Sequence, residues 1–414
     1  MIKELVKKSK IKKALLVEPN FPIANKSRNH KDFLPIGLLK ISSYLKSKDI
    51  EVKLLRFDED LISGTIDFKP DIVFVTSLFT YWSSYVTETV KLCKKKFGVD
   101  VIVGGIYASL MPEDCKKNTG CDYVHCGVFE EAEKLIPDYD LVDVDYQIIH
   151  STRGCIRRCG PCGVYEIEPK FTYKKSIKEE IIKKKIIFYD NNFLANKYVE
   201  NILNELIELK KEKKINYCES QSGFDGRILN KKPFLGKLLK KSGFKNPKIA
   251  WDGSFDEKDN IRKQVNILIE SGFKPSEISI FVLYNFEIPY VEMERKRVEA
   301  WKLGVQISDC RYRPLSADFD NYSPHKRTGQ SKEDYFIHPK WTDEEIRLFR
   351  RNIRSHNICI RLGSKYYSPS AERKRISIDL ARKYRMSDYK TAKKHIQDAW
   401  NPAEFHENSK SHLI

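Results

Sequence analysis

The chain has 414 residues, 41% hydrophobic and 32% charged, which is enough apolar material for two or three cores and excludes a wholly disordered chain. Its 75 Lys and Arg against 57 Asp and Glu leave a formal charge of +18, which invites an anionic partner such as nucleic acid. Ten cysteines do not make a secreted disulfide scaffold at this length, and no run approaches the roughly 18 apolar residues of a membrane span. The basic start, Met1 to Lys13, is followed only by Ala14 to Val17 before Glu18 and Pro19, too short for a signal peptide. The expectation is a soluble, cytoplasmic protein with no membrane partner and with thiols reduced or bound to metal.

The first third alternates strands and helices. Ala14–Val17, Glu51–Leu55, Asp71–Thr76, Asp100–Val103 and Tyr123–His125 read as strands, the first and third of them apolar throughout their middles, with helices over Pro35–Lys48 and Tyr85–Phe97. Continuous β-branched runs between helices predict an α/β domain, residues 1–145, with a doubly wound parallel sheet. Ligands of such sheets lie beyond the carboxyl ends of the strands. Those ends are Glu18–Asn20, Thr76 and Ser77, Gly104 and Gly105, and Cys126 and Gly127. An Asp- and Pro-rich linker, 136–145, follows.

A second alternation, residues 146–330, has a longer period. Its strands are Gln147–Thr152, Ile186–Asp190, Asn216–Gln221, Lys248–Asp252, Glu277–Leu283 and Gln306–Tyr312. Helical patterns fill the gaps at Ile177–Lys184, Lys197–Lys211, Pro233–Lys241, Asp259–Ser271 and Val291–Leu303. Six such strands describe a (β/α)6 partial barrel. From 331 to 414 the strand rhythm stops and a small helical C-terminal extension is predicted: Thr342 caps a helix to about Asn357, and Ala371–Tyr384 and Tyr389–Trp400 follow. Arg351 to Trp400 holds 13 Lys and Arg against 4 Asp and Glu, a net +9 and half of the whole formal charge.

The chemistry concentrates at the end of the first barrel strand, in Ser151-Thr-Arg-Gly-Cys155-Ile-Arg-Arg-Cys159-Gly-Pro-Cys162-Gly163. Three thiolates within eight residues wrap one soft metal centre, a cluster or zinc, and three ligands leave one metal position open. Arg153, Arg157 and Arg158 favour thiolate there. The competing reading is a structural zinc knuckle with its fourth ligand elsewhere. Cys115, Cys121 and Cys126, spaced x5 and x4, read as buried or incidental cysteines.

A C-x3-C-x2-C loop after the first strand of a six-strand β/α barrel resembles the radical S-adenosylmethionine (radical SAM) superfamily. The resemblance implies a [4Fe–4S] cluster on Cys155, Cys159 and Cys162, with the open iron binding S-adenosylmethionine. Reductive cleavage of the sulfonium then gives a 5′-deoxyadenosyl radical, which requires a one-electron reductant such as flavodoxin or ferredoxin. The family's aromatic residue before the third cysteine is Pro161 here. Phe33-Leu-Pro-Ile-Gly-Leu-Leu39 with Tyr44-Leu45, Val103-Gly-Gly105 with Pro112-Glu113, and Asp122 to Gly127 with Glu130 resemble the cobalamin (B12)-binding domain that precedes many such barrels. Ile186 to Phe193, Ala250-Trp-Asp252 and Arg311-Tyr-Arg-Pro314 are similar to that subgroup's second, fourth and sixth strands. The Asp-x-His-x-x-Gly motif that supplies an axial histidine is missing, so the resemblance implies cobalamin without that ligand, or a domain that binds none.

Cofactor contacts are then expected from Thr76, Ser77, Gly104, Gly105 and Gly127 in the first domain and from Asp190, Asn191, Ser220, Gln221 and Arg311 in the barrel. Asp190 and Asn191 suit the ribose or methionyl part of S-adenosylmethionine. Gln221 suits its carboxylate, and Arg311 a carboxylate or phosphate. Asp225 and Arg227 read as a local ion pair, and Trp251 as core or platform. The function expected is radical SAM catalysis with methyl transfer to an unactivated carbon of a small-molecule or RNA substrate. Two alternatives stand beside it: a cobalamin-independent radical SAM enzyme modifying RNA, or a nucleic-acid-binding protein with a structural metal site and a basic tail.

Overall fold

The computed structural model describes residues 2–8, 11–23, 34–57, 66–326 and 328–362. The helices expected at Ala371–Tyr384 and Tyr389–Trp400 lie outside the described residues. The described residues fall into two compact units, those within 1–192, 313–322 and 334–336, and those within 193–312, 323–333 and 337–362.

The first unit is built on a five-stranded parallel sheet ordered β2-β1-β3-β4-β5: β1 (Lys13–Glu18), β2 (Glu51–Arg56), β3 (Ile72–Ser77), β4 (Asp100–Gly105) and β5 (Tyr123–His125). Every strand predicted for this domain is present, and the order is one of the doubly wound arrangements, with its switch point between β1 and β3. The apolar runs split by parity. Leu15, Val17, Val73, Val75, Val101 and Val103 face one core, which α3 (Ser83–Phe97), α4 (Ile106–Leu110) and α5 (Pro112–Thr119) cover with Val86, Val90, Tyr107 and Cys115. Ala14, Leu16, Ile72, Phe74 and Ile102 face the other, covered by α1 (Ile2–Lys8), α2 (Ile36–Lys46) and α6 (Glu130–Glu133) through Ile2, Leu38, Leu45 and Ala132. Burial on both faces explains why these strands read as unbroken hydrophobic runs.

The same unit continues into β6 (Tyr146–Ile149), which pairs in parallel with β9 (Lys185–Phe188). Two expectations fail between them. The strand predicted over Gln147–Thr152 stops at Ile149, and Thr152–Arg153 (β7) instead pairs antiparallel with Thr172–Tyr173 (β8). The helix predicted over Ile177–Lys184 is a single 3-10 turn, Lys178–Glu180. Its cause is Gln147, whose buried side chain accepts from Ile182 N (2.6 Å) and Lys183 N (2.7 Å) and donates to the Glu180 carbonyl (2.8 Å). A side chain that satisfies backbone groups this way removes the need for a helix. One further short helix, α7 (Val164–Ile167), follows the third cysteine.

In the second unit β11 (Lys248–Ala250), β12 (Ser279–Tyr284) and β13 (Gln306–Arg311) form a parallel sheet. Bridges Cys218↔Phe244 and Phe224↔Ile249 join it to the stretch around β10 (Tyr217–Ser220). Helices α8 (Val199–Lys211), α10 (Phe234–Lys241), α11 (Lys258–Glu270) and α12 (Tyr290–Lys302) intervene close to the predicted positions, and a short helix that was not predicted, α9 (Gly226–Lys231), precedes α10. The last described helix, α13 (Asp343–Leu362), runs five residues past its predicted end. Its Asn357 donates to the Ile307 carbonyl (2.7 Å) and accepts from Ile307 N (2.8 Å), covering edge strand β13 with a side chain where another strand would pair.

Candidate cofactor site

The cysteine loop begins where β6 gives out, and a single buried carboxylate ends the strand. Asp190, at 0% exposure, accepts from Ser151 N (3.0 Å), Ser151 Oγ (2.5 Å) and Thr152 Oγ1 (2.8 Å). Burial pushes its pKa up, and these hydrogen bonds oppose that. The sequence assigned Asp190 to S-adenosylmethionine; in the structure its oxygens hold the approach to Cys155. Gly154 follows with φ +70°, and a Cβ there would fall 2.5 Å from the Lys170 carbonyl oxygen, so the turn accepts only glycine.

Cys155, Cys159 and Cys162 are all partly exposed, and Cys162 N donates to the Cys159 carbonyl (3.1 Å) to tighten the second half of the loop. Cys155 Sγ receives Arg157 N at 3.3 Å and Asn192 Nδ2 at 3.7 Å. Among the described residues no three His, Cys, Asp or Glu side chains are drawn together for a single ion. Asn191 does not reach into the loop: its amide donates to Glu168 Oε2 (3.0 Å). Glu168 and the buried His150 were missed by the sequence reading. His150 packs edge-on to Tyr189, and burial pushes its pKa well below the usual imidazole range. No spacing pattern marks either residue.

At the carboxyl ends of the first sheet, Ser77 is 1% exposed; its hydroxyl donates to the Gly104 carbonyl (2.8 Å) and accepts from Ala108 N (3.1 Å). Gly105 (φ +104°) lies so close to β3 that a Cβ would sit 2.1 Å from the Ser77 carbonyl oxygen, whereas one on Gly104 would meet nothing within 3.8 Å. Thr76 is half-buried beside Gly104 in register. Gly127 (φ +72°) donates its N–H to Ser109 Oγ (2.9 Å). Glu18, at the end of β1, is buried and paired with Arg56 (2.7 Å).

A set of aromatic rings that the sequence reading did not select stands at the β1 and β3 ends. Phe21 stacks on Trp82 (centroids 5.4 Å) and Phe79 on Tyr81 (5.0 Å). The guanidinium of Arg313, ion-paired with Asp320, lies 4.6 Å over Tyr81. The available signal was the run Phe79-Thr-Tyr-Trp82. Of the other cysteines, Cys115 and Cys121 are buried in one core, where their mutual hydrogen bond and then burial push the Cys115 thiol up. Cys126 is exposed.

The second unit carries the remaining candidates. Ser220 Oγ donates to the Gly223 carbonyl (3.0 Å) and Gln221 is half-buried after β10. Arg311 is buried at the end of β13, in register with Tyr284. Asp225 accepts from Arg227 N (3.1 Å) and Nε (3.2 Å), the local pair expected. Trp251 is fully buried after β11. Lys296, 1% exposed, donates to the carbonyls of Trp251 (3.2 Å) and Gly253 (2.5 Å), and burial depresses its pKa to about 8.

Residues 28–136 match the family described as B12 binding domain. The radical S-adenosylmethionine methyltransferase TsrM from Kitasatospora setae, solved with cobalamin and a [4Fe–4S] cluster bound, has a similar structure, with a TM-score of 0.54 at 15% identity over 74% of this chain and 77% of that one. The same enzyme solved with its tryptophan substrate and the analogue aza-SAM gives a TM-score of 0.54 at 15% identity, over 74% and 75%. No curated protein sequence matches the chain. The chain thus carries a stretch that matches a B12-binding domain and shares its fold with that methyltransferase. No helix among the described residues is long and apolar enough to cross a membrane.

Proposed function

We propose that this protein is a cobalamin-dependent radical SAM methyltransferase, with a [4Fe–4S] cluster on Cys155, Cys159 and Cys162 and S-adenosylmethionine as methyl source. One observation carries the reading: a loop with three partly exposed thiols is fastened at its approach by Asp190, within the same compact unit as a B12-binding domain. The donor set fits the cluster. Thiolates are its usual ligands, and amide donors such as Arg157 N and Asn192 Nδ2 stabilise charge on the sulfur of Cys155. The first sheet fits cobalamin, since Gly104, Gly105 and Gly127 keep its carboxyl ends free of side chains and aromatic rings stand beside them.

When bound, the cluster supplies the electron that cleaves S-adenosylmethionine and cobalamin supplies the methyl carrier. The chain's own residues bind and orient. Asp190 places the loop, and Ser77 with Gly105 keeps β3 and β4 closely packed at the end of the sheet where cobalamin would bind. The electron comes from a reductant such as flavodoxin or ferredoxin. The substrate is a small molecule or an RNA, and the net +9 between Arg351 and Trp400 supports RNA.

The test is anaerobic reconstitution with iron, sulfide and hydroxocobalamin, followed by S-adenosylmethionine and a low-potential reductant. Wild-type protein should retain both cofactors through gel filtration and consume S-adenosylmethionine, and Cys159→Ala should lose iron and all turnover. A wild-type protein that retains both cofactors yet never consumes S-adenosylmethionine would overturn the reading.

A further inference from the structure

We propose that Glu168 is a positioning residue for the cluster, and that through Arg153 and Glu133 it ties the cysteine loop to the B12-binding domain; this rests on the cluster assignment above. The segment from Cys155 to Ile167 leaves and returns at one carboxylate. Glu168 Oε2 accepts from Gly154 N (2.5 Å), the residue before the first cysteine, and from Asn191 Nδ2 (3.0 Å); Oε1 accepts from Arg153 Nη1 (3.0 Å). Three donors on two oxygens fix the side chain, and with it both ends of the loop.

Arg153 then forks onto Glu133 at the end of α6, Nε to Oε1 at 2.8 Å and Nη2 to Oε2 at 2.7 Å. Lys40 of α2 pairs with the same Glu133 Oε1 (2.8 Å) and donates to its carbonyl (3.1 Å). The four charges alternate in sign along the row Lys40, Glu133, Arg153, Glu168. All four side chains are at most one-fifth exposed, so solvent and salt screen them weakly. Planar bidentate pairing of Arg with a carboxylate adds geometric specificity that lysine cannot reproduce.

The row bears on the thiols through adjacency. Asn191, held by Glu168, precedes Asn192, whose amide points at Cys155 Sγ. Partners of this kind behind metal ligands change affinity by about 10–100-fold when removed, because they orient ligands and set the charge the sulfur can bear. Glu168→Gln keeps the size of the side chain but offers one acceptor where three donors converge.

The experiment loads full-length protein with iron and sulfide and follows iron release to a chelator, alongside the electron paramagnetic resonance spectrum of the reduced cluster with and without S-adenosylmethionine. Glu168→Gln and Arg153→Lys should each release iron about tenfold faster or more, and Glu168→Gln should alter the reduced-cluster spectrum. Lys94→Met, which breaks the Lys94–Asp122 pair (2.9 Å) elsewhere in the same unit, should release iron as wild type does. If Glu168→Gln does not fold, Arg153→Lys decides alone. Wild-type rates and spectra in the loop variants, or equal acceleration in Lys94→Met, overturn the positioning role while leaving the functional reading intact. Failure of the wild-type protein to take up iron at all sinks both.

Discussion

Two aspartates at the ends of barrel strands, Asp190 after β9 and Asp252 after β11, occupy equivalent places in the sequence pattern and opposite places in the structure. Asp190 is wholly buried, and the Ser151 and Thr152 hydroxyls and the Ser151 amide converge on it. Asp252 is exposed, and no hydrogen bond reaches its carboxylate among the described residues. A carboxylate whose acceptors are filled is spent on holding a backbone, while Asp252, which feels Lys296 and Arg227 only through space, keeps its acceptors open to a ligand. A strand-end acid is therefore a site candidate only once its acceptors have been accounted for.

Substitution sharpens this contrast most. Asp190→Asn should lower unfolding free energy by about 2–4 kcal/mol, because an amide offers one acceptor oxygen and turns a donor toward the Ser151 N–H. Asp252→Asn should change it by no more than about 0.5 kcal/mol. Denaturant midpoints of the cofactor-free proteins measure both, and equal effects would break the comparison.

The glycines closing β4 form a second such pair, with a smaller effect. Gly105→Ala forces a Cβ onto the Ser77 carbonyl oxygen in a left-handed conformation and should cost about 1–3 kcal/mol and weaken cobalamin retention. Gly104→Ala, whose Cβ would meet only His125 at ordinary van der Waals distance (3.8 Å), should cost less than about 1 kcal/mol. Thermal denaturation and cobalamin titration of the two variants give the answer; a Gly104→Ala protein as damaged as Gly105→Ala would refute the packing argument.

A third expected effect, comparable in size, is a pH dependence near Asp252. Lys296 holds the carbonyls on either side of that residue and has its pKa depressed to about 8, against about 10.5 in an unfolded chain. Below pH 8 the folded state bears the penalty of a buried ammonium. Between pH 8 and 10.5 the unfolded chain binds the extra proton, so the penalty fades and stability rises. Lys296→Met should lack that rise, a difference of roughly 2 kcal/mol across the interval. Parallel stability–pH curves for wild type and variant would contradict it.

Legibility from the sequence followed the physics of each region. The three central strands of the first sheet, β1, β3 and β4, were plain in the sequence because burial on both faces leaves a continuous apolar run, a signal carried by each segment alone. The cysteine triplet was equally plain, since its spacing is local. The crossover from β6 to β9 was misread because Gln147 replaces a helix there through contacts more than thirty residues away, which no periodicity records.

What the sequence determined by itself is thus the kind of protein this is: an α/β domain matching the B12-binding family, a three-thiol loop after the first barrel strand, and a charge of +18 weighted toward the C-terminal segment. What only the tertiary structure decided is the use of the individual polar residues. Asp190 and Asn191 went to the scaffold, Glu168 and Arg153 at the two ends of the loop were paired with each other, and Glu133 and Lys40 joined them from distant helices. The reason is that hydrogen-bond acceptors and charges are assigned by three-dimensional proximity at about 3 Å, and separation along the chain carries no trace of it.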